Sequence, residues 1–152
     1  SIVAFGENTS MPHAVPTNRS LQSGDIVQFD IGCKNKGYCS DFSRVIFIDY
    51  MKNEYEDSYQ FVVEEQQKIV DNFKDGANIK QIIKDREVDY NLKNYEIAHS
   101  FGHGVGLYIH EEPILSSRRD MYLKENSIIA IEPGIYKSGR FGISIVDTYL
   151  IT

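Results

Sequence analysis

One block of sequence occurs twice, and this repetition constrains the fold more than any other feature. LQSGDIVQFDIG at Leu21–Gly32 and LKENSIIAIEPG at Leu123–Gly134 align at a constant offset of 102 residues. Each copy runs from a leucine through an apolar stretch to a carboxylate nine positions on, Asp30 or Glu132, with a glycine two further. Upstream of each lies a histidine followed by proline at the third position, His13/Pro16 and His110/Pro113. A duplicated unit buries its apolar face against its copy. Two facing halves are therefore expected, with Asp30, Glu132 and both histidines at their junction.

Around the repeat, β-branched and alternating runs predict strands at Ile2–Phe5, Ile26–Ile31, Cys39–Ile48, Ile128–Ile131 and Gly142–Ile151. KNKG supplies a hairpin between the second and third. Asn53 followed by Glu56 reads as a helix cap. The helix it opens aligns Tyr55, Tyr59, Val62, Gln66, Ile69, Val70 and Phe73 near one face and closes at Gly76. A shorter helix is expected after Asn78, burying Ile79, Ile82 and Ile83, while Asp85–Tyr95 is polar without a clear period. SSRRD reads as an exposed turn. The pattern is that of an α+β chain.

The 152 residues suit one domain, and their net charge of −6 excludes the basic excess that nonspecific binding to nucleic acid or anionic membranes requires. No apolar run approaches the roughly 18 residues of a membrane helix. Only Cys33 and Cys39 are present, which points away from a disulfide scaffold and toward the reducing cytoplasm. The chain starts at Ser1 and enters an apolar run at once, as a piece cut from a longer protein would.

Asp30 and Asp41 lie in apolar runs, where an ionised carboxylate costs several kcal/mol unless a partner or metal compensates. Arg44 is the candidate counter-charge within the chain. His103 sits in GHGVG, whose glycines permit close backbone approach, and His110 and Glu132 follow. Carboxylate and imidazole donors together suit Mn, Fe, Co or Zn. A pair of such ions lowers the pKa of a shared water and polarises the carbonyl under attack.

FDIG with Asp30, CSDFSR with Asp41, HSFGHGVGL with His103, IHEEP with His110, IEPGIY with Glu132 and the ending DTYLIT occur in an order that resembles the pita-bread metallopeptidases. These are methionine aminopeptidase, Xaa-Pro dipeptidase and aminopeptidase P, and the Xaa-Pro branch is the most similar. The resemblance implies a curved antiparallel sheet in pseudo-twofold halves covered by helices, with residues 1–152 forming a single, partial catalytic domain. It also implies hydrolysis of Xaa-Pro bonds at peptide N-termini or in dipeptides by a metal-bound hydroxide. Asp30 would then hold the first metal, Asp41 would bridge, and His103 and Glu132 would hold the second. Glu132 would also move the water's proton, His13 and His110 would contact the substrate, and His99 would play a supporting part.

Two departures from the family pattern stand out. Val146 occupies the place of a second bridging glutamate, and Ser144 that of an arginine common in the Xaa-Pro branch. Two ions are implied by the family, with weakened occupancy of the first position expected here and a single-ion centre as the alternative. Asp147 is no replacement, because adjacent strand residues point to opposite faces. Ile114 stands where a dipeptidase uses a basic residue for the substrate carboxylate. The alternative reading is an impaired pseudo-peptidase that binds peptides or proteins, and a creatinase-like hydrolase is a third. The helices that precede Ile2–Phe5 in the family lie outside this sequence, so an apolar sheet face is expected to be exposed, suited to a partner or a homodimer.

Overall fold

The computed structural model describes all residues from Ser1 to Thr152. Its first half is a three-stranded antiparallel sheet of β1 (Ile2–Phe5), β2 (Ile26–Ile31) and β5 (Phe42–Phe47), with β2 central. Between β2 and β5 a small hairpin of β3 (Lys34–Asn35) and β4 (Tyr38–Cys39) projects outward. Its turn is Lys36–Gly37, both at positive φ, which matches the twist of the flanking strands. The long strand expected over Cys39–Ile48 is therefore broken at Ser40–Asp41. At the break the backbones of Gly32 and Ser40 approach so closely that a Cβ on Gly32 would lie 2.5 Å from the Ser40 carbonyl oxygen.

The second half repeats this plan. β8 (Ile128–Ile131) is flanked by β6 (Gly102–Gly104) and β11 (Asp147–Leu150), and β7 (Glu111–Ile114) extends the sheet beyond β6. A hairpin of β9 (Gly134–Lys137) and β10 (Phe141–Ser144) stands between β8 and β11. The run expected as one strand over Gly142–Ile151 is thus two, parted at Ile145–Val146. Strands β6, β7 and β9 escape sequence reading because their glycines and acids mask any alternation. The halves join where Ser43 and Val146 exchange backbone hydrogen bonds, 3.1 Å and 3.3 Å long. Behind this joint, Gln28 bonds across to the backbone N–H and carbonyl of Ser144.

Helices α1 (Asn53–Val70) and α2 (Ile79–Leu92) connect the halves and cover the second. Tyr55, Phe61, Val62 and Ile69 of α1, with Ile79, Ile83 and Tyr90 of α2, pack on Ile129, Ile131, Ile143 and Ile145. Each buried isoleucine contributes about 2 kcal/mol. Asn53 is not the cap: Lys52 takes that place, its side chain lying on the Tyr55 ring and donating to its hydroxyl at 3.2 Å. The helix ends before Gly76, at Val70. Asn78 does cap α2, accepting from the Gln81 N–H at 3.1 Å; Ile82 is only half-buried. The polar stretch after Asp85 is helical to Leu92 because Arg86 and Asp89 join Lys68 around the buried Glu65 of α1. As expected, the outer face of the first sheet is bare, exposing Val3, Ile31, Phe42 and Ile46.

The loop between β1 and β2, which carries His13, is fastened by Arg19. Its guanidinium forks onto Asp25 at 2.6 and 2.8 Å and reaches Glu7 at 2.8 Å. The Arg19 partner and the Gln22 N–H hold the Asp25 carboxyl below its usual pKa against the opposing effect of burial. Because the folded-state pKa is depressed, this stabilisation is present above about pH 4 and is lost as pH falls through the lowered value. Urea denaturation should show Arg19→Ala costing about 3–5 kcal/mol, since it strands a buried carboxylate. The acid-limb loss of stability should shrink in Asp25→Asn.

Candidate metal centre

The alternation of β2 turns Gln28 and Asp30 toward the second half, and Asp30 pairs with Ser43 across the sheet. In the second half the ladder pairs Ile131 with Asp147, so one step further Glu132 stands opposite Val146. The joined pair Ser43 and Val146 thus separates two acids in equivalent places, as the repeat implies. His103 is the centre of β6, between Ala130 of β8 and Ile114 of β7. Gly102 before it takes φ 152° with its α-carbon against the Ala130 carbonyl, leaving no room for a side chain. Asp41 enters from the break between β4 and β5.

These side chains converge. His103 Nε2 lies 3.3 Å from Asp41 Oδ2 and 3.7 Å from Glu132 Oε1. Its Nδ1 is 3.0 Å from the Gly104 carbonyl, which only accepts, so Nδ1 carries the proton and the neutral ring presents a lone pair at Nε2. Nε2 is buried without a hydrogen-bond partner. Burial opposes charge on His103, but Asp41, the Gly104 carbonyl and Glu132 outweigh it and raise its pKa. Burial pushes Glu132 up to about 7, with Asp41 and Asp30 adding to the effect against His103. Asp30 is raised by burial and then by Asp41. A proton or a cation at Nε2 satisfies the same carboxylates.

Asp41, His103 and Glu132 supply donor types that suit a divalent ion. With bonds of about 2.0–2.1 Å, tetrahedral ligand atoms stand about 3.4 Å apart, close to the two separations at Nε2. As the side chains stand, no three or more of the His, Cys, Asp and Glu residues are drawn together closely enough to hold an ion. Val146, buried and lining the same cavity as Asp30, offers no oxygen donor there. Asp147 does not supply one, since its carboxylate pairs with Arg44 at 2.5 Å. Arg44 is therefore not the counter-charge of Asp41, as the sequence spacing implies, but lies over Phe42 and bonds the Val146 carbonyl.

Asp30, His103 and Glu132 line a cavity of about 660 Å³, together with His13, His99 and His110. Asp41 closes it from an adjoining recess shared with Asp30. The His110 ring stands edge-on to His103, with centroids 4.4 Å apart. His99 is fixed by the Ser100 carbonyl and, through Nε2 at 3.0 Å, by the Tyr136 hydroxyl. Burial lowers the His99 pKa and keeps it neutral. Sequence reading missed Tyr136, although Glu132, Gly134 and Tyr136 share a period of two.

The sequence profile of metallopeptidase family M24 matches residues 1–152, the whole chain. The chain belongs to metallopeptidase family M24. It is 38% identical to the Xaa-Pro dipeptidase of Pyrococcus furiosus over 155 residues, covering 100% of this chain and 44% of that protein. An uncharacterised peptidase of Methanocaldococcus jannaschii is 40% identical, with 99% and 44% covered. The X-Pro aminopeptidase of Thermotoga maritima superposes with a TM-score of 0.92 at 34% identity, over 99% of this chain and 43% of that one. The prolidase of Pyrococcus furiosus does so at 0.90 and 37% identity, over 99% and 45%. The M24 chain thus has the pita-bread fold and spans under half the length of these relatives. No helix is long and apolar enough to cross a membrane.

The raised Glu132 carboxyl fixes a sign. Folding takes up a proton between the ordinary value of 4.5 and about 7, so without added cation stability falls as pH rises through that window and levels above it. Urea denaturation in chelator should show this slope, reduced in Glu132→Gln. Equal slopes in the two proteins would contradict the assignment.

Proposed function

We propose that this chain carries a peptidase centre for bonds next to proline, at peptide N-termini or in Xaa-Pro dipeptides. The names of its Pyrococcus furiosus and Thermotoga maritima relatives support the substrate class. The observation that carries the reading is the buried, unpartnered Nε2 of His103 between Asp41 and Glu132. Asp41, His103 and Glu132 would hold one Mn, Co, Zn or Fe ion, with Asp30 at the margin of a weakened second position. Such an ion supplies Lewis acidity and a water of lowered pKa.

The chain's own groups do the rest. Glu132 would accept a proton from the attacking water at its carboxylate and return it to the departing amine. His110 and His13 present ring N–H donors to the scissile carbonyl and amide, and so favour the charge that develops there. Neutral His99, held by Tyr136, forms the cavity wall.

Val146 favours a second reading, a peptide-binding module with impaired hydrolysis. The test is turnover of Xaa-Pro dipeptides with Mn²⁺ or Co²⁺, in the native chain and in Val146→Glu. Native turnover above the metal-only control supports the first reading. Turnover only in Val146→Glu supports the second. None in either, with both proteins folded, contradicts a peptidase centre. Because Val146 is 4% exposed, the introduced carboxylate should destabilise the metal-free protein by several kcal/mol, and Mn²⁺ should restore its thermal midpoint.

A further inference from the structure

Adjoining the main cavity is a second recess of about 480 Å³, and Ala98, His99, Ser100 and Ile114 line both. The main cavity has no lysine or arginine. A peptide with a free C-terminus brings a carboxylate toward Asp30, Asp41 and Glu132, and like charges at such spacing repel. That carboxylate needs a cation elsewhere. The recess contributes two, Arg118 and Arg119.

Only one of them is uncommitted. Arg119 pairs with Glu112 at 2.9 Å. Glu112 also accepts from the Ile114 N–H at 3.1 Å, and Glu87, the other acid there, accepts from the Ser117 hydroxyl at 2.5 Å. Arg118 makes no ion pair; its one polar contact is from its backbone N–H to Ser116 Oγ at 3.3 Å. Its guanidinium is free to form the two-pronged contact that suits a carboxylate.

Position then sets the length of the peptide. Ile114 pairs directly with His103, and Arg118 follows it by four residues, at most about 13 Å of chain. A dipeptide cleaved at the metal centre extends only one residue, about 3.3 Å, past the scissile bond, and Ile114, which lines both spaces, offers its carboxylate no charge. A peptide of roughly three to five residues reaches past Ile114.

We propose that Arg118 is a specificity-determining residue that receives the C-terminal carboxylate of short oligopeptides in the recess behind Ile114 and His99. The proposal rests on the peptide-hydrolase reading above and narrows its substrates. The test compares Ala-Pro-Ala-Ala with its C-terminal amide, by calorimetry in chelator and by kcat/KM with Mn²⁺. The acid should bind about tenfold tighter than the amide. Arg118→Ala should bring that ratio to about one, Arg118→Lys should keep part of it, and Arg119→Ala should keep it whole.

Equal binding of acid and amide by the native chain, no binding of either, or equal weakening of both by Arg118→Ala overturns the proposal. Turnover without preference for the acid overturns it and leaves the peptidase reading standing. Preference for the acid without turnover of either peptide supports it and overturns hydrolysis.

Discussion

Negative charge gathered at the seam between two half-sheets is the constraint on which the rest of this molecule depends. Asp30, Asp41 and Glu132 meet around a cavity that no lysine or arginine lines. The one cationic side chain of the adjoining recess, Lys34, is turned to the Leu107 carbonyl at 3.1 Å. Desolvated carboxylates of this kind are tolerated only when they keep protons or hold a cation. The raised pKa of Glu132 and the bare Nε2 of His103 are two expressions of that demand. The surrounding scaffold is built to keep the charges in place, through the exchange of bonds between Ser43 and Val146 and the Gln28 bridge to Ser144.

The same seam explains why the site is lopsided. The repeat gives each half a strand acid at its end, but only the second half sets an imidazole on the neighbouring strand, because His103 lies on β6 and the residue opposite Gln28 on β1 is Ala4. Val146 then removes an oxygen donor from the side nearer Asp30. Three donors remain grouped around His103 and two acids around the other position, with Asp41 common to both. The proposed cation is placed beside His103 on this ground.

Much of this was legible in the residues. The offset of 102 anticipated the two halves, and the strand acids and glycine-flanked histidine anticipated the cavity, because buried charge and close backbone contacts leave marks in sequence. The strands at Ile2–Phe5, Ile26–Ile31 and Ile128–Ile131 have the expected bounds. What escaped depends on contacts far apart in the chain. The break at Asp41 follows from Gly32 meeting Ser40, Arg44 prefers Asp147 some hundred residues away, and α2 continues through a polar stretch because α1 supplies its counter-charges. The Tyr136 to His99 bond joins two segments that no local pattern relates.

The proposed centre holds one divalent ion beside His103 rather than a bridged pair. Electron paramagnetic resonance during a Mn²⁺ titration of the native chain tests it most directly. The account predicts saturation at one ion per chain with the signal of an isolated Mn²⁺, lost in His103→Ala. Saturation at two ions with an exchange-coupled spectrum would contradict it.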